Sequence, residues 1–347
     1  RLIDLLSVRS WHLLLSWYQT LCGQVSFRGF QSKDFRVRRG TRQGAILSPT
    51  LANIFLCPLV AALDDSRRGA FMHGYHVPAV CYADDLCLIS CNVNDLGHLL
   101  SLVEQFSQDW RLEFTSVDSS KTKSHCIIFG RDLLLDSPIW ALDGQQLRIE
   151  NETEHLGTII SSSLLAKQHV NQRIKRARGS FYGLTPAGIL SNNLSPLDKA
   201  FLWRTIVAPS LTFGSTAAPL RPEDVCELER FQSRHIKAAL GLAPHAHHSA
   251  LLAALGVPHV QETFRGMALR GLCNAFKSEH RLSRVLTRGL AVLATDPAQL
   301  DGSFLGYVYR ICNSRMENVL TVATGHIDPD MIHAQSEGDG VIDSLRF

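Results

Sequence analysis

The chain has 347 residues, of which 45% are hydrophobic and 19% charged, and its net charge is +3. That length allows two or three domains with a sizeable core. It excludes a disordered polyelectrolyte, and no apolar run is long enough to cross a bilayer. The nine cysteines are scattered singly, with no C-x-x-C pair. That pattern argues against a disulfide framework and for a reducing, intracellular compartment, in the cytoplasm, the nucleus or both. Charge is concentrated rather than spread. The segments 28–42 and 166–180 each carry +5, so the remainder is acidic on balance. Basic patches on an acidic body suit a nucleic-acid groove.

In chain order, the apolar stretch Trp11 to Leu21 predicts a helix. "QVSFRGF" and "DFRVRRG" predict short alternating strands. In "GTRQGAILSPTLANIF", Ser48 and Pro49 suit the N-cap and first turn of a helix whose apolar body runs from Leu51 to Leu63. Pro58 is expected to kink that helix. "HVPAVCYADDLCLIS" reads as strand, tight turn, strand, with flanks that suggest a hairpin buried in a sheet. Leu96, Leu99, Leu100, Val103, Phe106 and Trp110 fall at helical spacing, with Asn94 or Asp95 as cap. "SHCIIFG", "QQLRIE" and "HLGTIIS" predict further strands. A basic helix follows, and from about Ser195 the pattern is helical to roughly Val322. The strands stop at 184–195, which makes that segment a candidate boundary, and the last two dozen residues read as a loose tail.

The adjacent acids Asp84 and Asp85 are the main chemical signal. In a tight turn, two carboxylates can lean toward one point, where they repel. Protonation, a basic partner or a divalent cation would relieve the repulsion, and a hard cation such as Mg²⁺ favours such oxygen ligands. The alternative is a solvated turn. The cluster "PHAHH", with His245, His247 and His248, has no cysteine nearby and reads as a loop of exposed imidazoles.

Taken together, these motifs resemble a known family. "YADD", Tyr82 to Asp85, is similar to the catalytic hairpin of reverse transcriptases. "GTRQGAILSP" resembles their G-x-x-Q-G-x-x-L-S-P block. "WRLEF…SSKTK" resembles the W-x-L-x…K-T block, with Asp118 where the family has Asn. "HLGTIIS" resembles the primer-grip strand, with His155 in place of an aromatic residue. "LTFGS" and "ELERFQSRHIKAALGL" resemble the region beyond the thumb in non-LTR (LINE-type) retrotransposon polymerases.

The resemblance implies an α+β fold. Residues 1–130 would form a partial palm, 131–190 primer-grip strands and a basic thumb helix, 191–322 a helical connector, and 323–347 a flexible tail. It implies dNTP addition to a primer 3′-hydroxyl on an RNA template, with RNA template, DNA primer and their hybrid as partners. Two Mg²⁺ ions, or Mn²⁺, would serve as cofactors. Asp84 and Asp85 would bind metal, and Lys121 would stand near the triphosphate. Gly40, Gln43, Gly44, Ser48, Tyr82 and Ala83 would line the nucleotide and template. Leu156 and Gly157 would form the primer grip. Arg36, Arg38, Arg39, Arg42, Arg173, Lys175, Arg176 and Arg178 would contact phosphates.

The family's third catalytic carboxylate comes from an F-D-x-V strand. "RLIDLLS" does not supply that pattern, and Asp4 is a poor substitute by spacing. The chain is therefore expected to be the C-terminal part of such an enzyme, without fingers, and inactive alone. A non-catalytic nucleic-acid-binding relic is the second reading.

Overall fold

The computed structural model describes residues 7–37, 40–42, 44–112, 124–130, 140–142 and 144–295. Arg38, Arg39, Gln43, Asp118 and Lys121 lie outside the described residues, as do Asp4 and the expected tail. The chain is of mixed α+β character, its strands short and mostly antiparallel. It divides into two units, residues 1–114 with 140–145, and residues 115–139 with 146–347. Among the described residues no helix is long and apolar enough to cross a membrane.

The first unit opens with α1 (Val8–Gln19), whose N-cap Ser7 accepts a hydrogen bond from the Ser10 amide. Strand β1 (Cys22–Gly23) pairs with β4 (Phe35–Arg36), and between them β2 (Ser26–Phe27) pairs with β3 (Phe30–Gln31). Helix α2 spans Ser48–Asp65 and runs through Pro58, which the sequence suggested as a kink. Ser48 is its first residue rather than its N-cap, and Leu47 caps it without a side-chain bond. The Ser48 hydroxyl instead donates to the Arg42 carbonyl at 2.6 Å, folding the preceding loop against the helix start.

Two hairpins follow, β5 (Ala70–Met72) with β6 (Tyr75–Val77), and β7 (Ala79–Tyr82) with β8 (Asp85–Leu88). Helix α3 (Val93–Trp110) is capped by Asn92, earlier than the expected Asn94 or Asp95. The Asn92 side-chain Oδ1 accepts from the Asp95 amide, and its Nδ2 donates to the Asp95 carboxylate, each at 2.7 Å. Leu59 and Leu63 of α2 are buried, as are Leu99, Val103 and Phe106 of α3. Phe55 meets Phe106 and Trp110 edge-on at 5.7 and 5.4 Å.

The second unit contains β9 (His125–Cys126). Strand β10 (Ala141–Leu142) belongs to the first unit and pairs with β11 (Gln145–Gln146). Strand β12 (Arg148–Ile149) pairs with β9 in parallel, and β13 (Glu152–His155) with β14 (Thr158–Ser161) antiparallel. The expected palm sheet is therefore, among the described residues, a set of two-stranded pairs.

Helices α4 (Lys167–Gly183), α5 (Pro196–Leu202), α6 (Ala208–Thr212), α7 (Pro222–Ala239), α8 (His248–Leu255), α9 (Val260–Lys277) and α10 (Arg281–Thr295) complete the unit. Helix α5 starts with a reciprocal cap. Ser195 accepts from the Asp198 amide, and Asp198 accepts from the Ser195 amide. Between α5 and α6 the backbone takes π-helical register over Trp203–Val207. Pro209 lies just beyond and cannot donate to Thr205, so the ladder must change register there.

One core joins these helices. It includes Val170, Phe181, Trp203, Leu211, Leu228, Leu252 and Phe264, each almost fully buried. The candidate boundary at 184–195 falls inside this core. Phe181 before it and Trp203 after it are ring neighbours at 6.2 Å. The buried Lys199 ammonium donates to the Ala239 carbonyl at 2.6 Å, satisfying a helix end with a charge of favourable sign. Truncation of Phe181 to Ala should cost about 3–5 kcal/mol. Urea unfolding of the full chain measures this loss, and because α4 shares the core with α5 to α9, the helices should unfold together.

Candidate functional site

The hairpin β7–β8 has a two-residue tip, because Tyr82 pairs with Asp85. Ala83 and Asp84 form the loop, and Asp85 is the first residue of the return strand. Tyr82, Ala83, Asp84 and Asp85 are all exposed, Tyr82 to 65%. The hairpin is thus not buried in a larger sheet, as its apolar flanks had suggested. The flanks are half-buried apart from Cys81, which is exposed like the tip.

Ala83 has φ +52°, a left-handed conformation that a Cβ disfavours by about 1–2 kcal/mol. The other two-residue hairpin loops contrast with it. Arg28-Gly29, His73-Gly74 and Leu156-Gly157 have positive φ at both positions and Gly at the second, as a type I′ turn requires. At the acidic tip only the first residue has positive φ, and it is not glycine. The strain buys two adjacent carboxylates at the end of a ribbon.

Below the tip the ribbon is held firmly. The Ile89 amide donates to the Pro78 carbonyl at 2.8 Å and the Ala70 amide donates to the Ile89 carbonyl at 3.0 Å, so the two hairpins lie side by side. Gly69 lies at φ +112°, and a Cβ there would stand 2.9 Å from both the Ile89 oxygen and Pro78 Cα. Arg68 pairs with Asp95 of α3 at 3.0 Å, and the hydrogen bond from Asn92, with help from Arg68, holds the Asp95 carboxyl below its ordinary range. Within the same unit, the loop before α2 turns at Gly40 (φ +83°) and Gly44 (φ +80°), both exposed. Arg36 and Arg42 are exposed too. Phe27, Phe30 and Phe35 are at least half exposed on the neighbouring pairs, and the Arg28 guanidinium lies 5.3 Å from the Phe27 ring.

Among the described residues neither Asp84 nor Asp85 has an ion-pair partner, and no third carboxylate, imidazole or thiol joins them at ligating distance. Two reachable oxygen ligands on one tip suit a hard divalent cation in kind, and they form part of a ligand set.

In the second unit the turn Leu156-Gly157 is fastened to α4. Arg173 is 2% exposed, which corrects its assignment as a phosphate contact. Its guanidinium donates to the Gly157 carbonyl at 3.1 Å and lies 5.4 Å from the Phe213 ring centre. Phe213 packs so close that a Cβ on Gly157 would meet its ring at 2.9 Å. His169 is fully buried beside it. The Ile159 amide donates to its Nδ1 at 3.3 Å, and its Nε2 donates to the Phe213 carbonyl at 3.1 Å. Gly214, at φ +70°, leaves space for Thr158 and His169 that a side chain would fill.

Arg176 is exposed and pairs with Glu154 at 2.6 Å, while Lys175 and Arg178 are exposed. Leu156 stands at φ +49° and is 43% exposed. The sequence had marked Leu156 and Gly157 but not His169 or Phe213. The only available signal was "LTFGS", whose partner is distant in the chain.

Burial, helped by Arg173, pushes the His169 pKa below its ordinary value. The unfolded chain therefore takes up this proton first, at about pH 6.5. Stability is fully present above that pH and is lost as pH falls toward the folded pKa. Protonation would also set an N–H on Nδ1 against the Ile159 amide. Acidification from pH 7.5 to 5 should accordingly loosen the β13–β14 hairpin from α4. Hydrogen exchange at Ile159, compared with a His169→Gln variant that has lost the pH dependence, tests this.

Residues 4–160 match the family model described as reverse transcriptase (RNA-dependent DNA polymerase). Over 215 residues, 61% of this chain, it is 24% identical to the RNA-directed DNA polymerase from mobile element jockey of Drosophila funebris, covering 23% of that protein. Over 246 residues, 68% of this chain, it is 25% identical to a retrovirus-related Pol polyprotein from type-1 retrotransposable element R2 of Popillia japonica, covering 39% of that protein. The chain thus spans well under half the length of either relative. The acidic tip and the glycine-bounded loop before α2 both lie inside the matched region, so over residues 4–160 the chain is similar to reverse transcriptases.

Proposed function

We propose that this chain contributes part of the palm, the primer grip and the thumb of an RNA-directed DNA polymerase. The observation that carries the reading is the strained, exposed tip with Asp84 and Asp85, placed within the matched reverse-transcriptase region. Asp84 and Asp85 would hold Mg²⁺, or Mn²⁺ in its place. Held by these two carboxylates, such an ion would supply Lewis acidity toward a primer 3′-hydroxyl and a departing pyrophosphate.

The chain's own residues have separable roles. The ribbon beneath the tip, fixed by Gly69, Pro78 and Ile89, holds the carboxylates in place. Tyr82, exposed beside them, offers a ring face to the primer end or template. The loop from Gly40 to Ser48 presents backbone without side chains at its two glycines, which allows close approach of a nucleotide. Gln43 and Lys121 belong to this proposal as contacts to the nucleotide and its triphosphate. Arg36, Arg38, Arg39 and Arg42 would meet phosphates. Along α4, Lys175, Arg176 and Arg178 would track the backbone of an RNA–DNA hybrid, with a salt-dependent and sequence-independent affinity.

Leu156 supports the primer-grip reading. A large apolar residue in left-handed conformation at an exposed turn gains little from the fold and costs about 1–2 kcal/mol. A contact outside the chain, with a primer, gives it a use. Asp84→Asn in the longer polymerase should abolish primer extension and leave hybrid binding within about twofold, since one neutralised tip changes few phosphate contacts. Primer-extension and filter-binding measurements on the same preparation check this, and unchanged extension would remove Asp84 from the metal site.

A further inference from the structure

A second group of ligand-type side chains stands in the helical region, far along the sequence from the acidic tip. Glu229 lies mid-way along α7, His248 is the first residue of α8, and His259 is the N-cap of α9. His248 Nε2 lies 2.6 Å from Glu229 Oε1, and His259 Nδ1 lies 3.0 Å from the same oxygen. All three ligand atoms fall within 4.8 Å of one another. The imidazoles are nearly perpendicular, at 84°, with centres 5.4 Å apart, so both address one point from different sides.

The surroundings orient these groups. The Val260 amide donates to Glu229 Oε2 at 2.8 Å, which leaves Oε1 for the imidazoles. Gln232 donates to the Pro258 carbonyl at 3.0 Å and accepts from the buried Trp203 indole at 3.3 Å, fixing the loop that carries His259. His248 Nδ1 is buried and, among the described residues, has no hydrogen-bond partner. That ring therefore loses little on its far side by changing tautomer, and Nε2 can offer a lone pair. The side chains of Glu229, His248 and His259 are 23%, 19% and 38% exposed, so water reaches the cluster.

We propose that Glu229, His248 and His259 form a binding site for a divalent transition metal of the zinc class, which clamps α7, α8 and α9 together. Two imidazoles and a carboxylate are a borderline-soft set that suits Zn²⁺ or Co²⁺ and not Mg²⁺. Around an ion with bonds of about 2.0–2.1 Å, tetrahedral ligand atoms stand about 3.3 Å apart. The present separations are those of hydrogen bonds. Opening them by about 0.7 Å at His248 and about 0.3 Å at His259 is within the reach of side chains at two helix ends. Water takes the fourth position. The site corrects the reading of "PHAHH" as exposed imidazoles: His245 and His247 are exposed, whereas His248 turns inward to Glu229. No metal motif marked His259 or Glu229, which lie 11 and 19 residues from His248. The proposal stands independently of the polymerase reading.

The test uses the full chain purified without a histidine tag. Co²⁺ should give ligand-field absorption at one equivalent, Zn²⁺ should bleach it, and a large excess of Mg²⁺ should not. Zn²⁺ should also raise the melting temperature. His259→Asn keeps a favoured N-cap residue and should fold normally, yet bind Co²⁺ on the order of a hundredfold more weakly or worse. His248→Gln should do the same and serves as the second variant. Absence of the cobalt spectrum and of any zinc-dependent shift in the parent protein would overturn the proposal. So would full retention of both in the two variants.

Discussion

Two adjacent carboxylates can stand at a ribbon's end only if the ribbon is rigid and the tip remains reachable. The first unit meets both conditions by local means. Close backbone approach at Gly69 joins two hairpins that would each be marginal alone, since an isolated two-stranded hairpin has little stability in water. The helix pair α2–α3 supplies the apolar backing through Leu59, Leu63, Leu99 and Phe106. The Arg68–Asp95 pair, itself part of the α3 cap, ties that backing to the strand start. The left-handed Ala83 is the point at which this support is used: a strain of the kind that persists only when its surroundings over-determine it.

The second unit solves a related problem by other means. The turn Leu156-Gly157 is also left-handed, but it is fastened by buried polar side chains and not by neighbouring strands. Arg173 and His169 are both removed from solvent and both spend hydrogen bonds on backbone carbonyls or amides. A buried guanidinium is costly to hold and costlier to leave unmatched, and its Nε has no partner among the described residues. The hairpin is therefore registered on α4 by groups that tolerate little displacement. The exposed cations of the same helix, Lys175 and Arg178, remain free for solvent or for a polyanion.

The helices beyond share one core with α4, so the basic helix cannot move as a separate lobe without disturbing Phe181 and Trp203. Within that core the polar exceptions are concentrated. Lys199 closes the end of α7, Gln232 bridges Trp203 and Pro258, and Glu229 gathers two imidazoles and an amide. Each joins elements that are distant in sequence, Lys199 and Gln232 as satisfied buried polar groups and Glu229 at the edge of the core.

The sequence by itself determined the local features. The reciprocal cap in "SPLD", the apolar spacing of α3 and the glycine turns before α2 depend on neighbours a few residues away, and their residue types suffice to specify them. The resemblance to reverse transcriptases was legible for the same reason, because its motifs are short and ordered. Tertiary structure decided the rest. Whether Arg173 meets a phosphate or a carbonyl depends on Gly157 and Phe213, 16 and 40 residues away. Whether His248 is exposed depends on Glu229. Charge and periodicity describe a side chain's own segment, while burial is set by whatever the fold brings against it, and that partner is not written nearby.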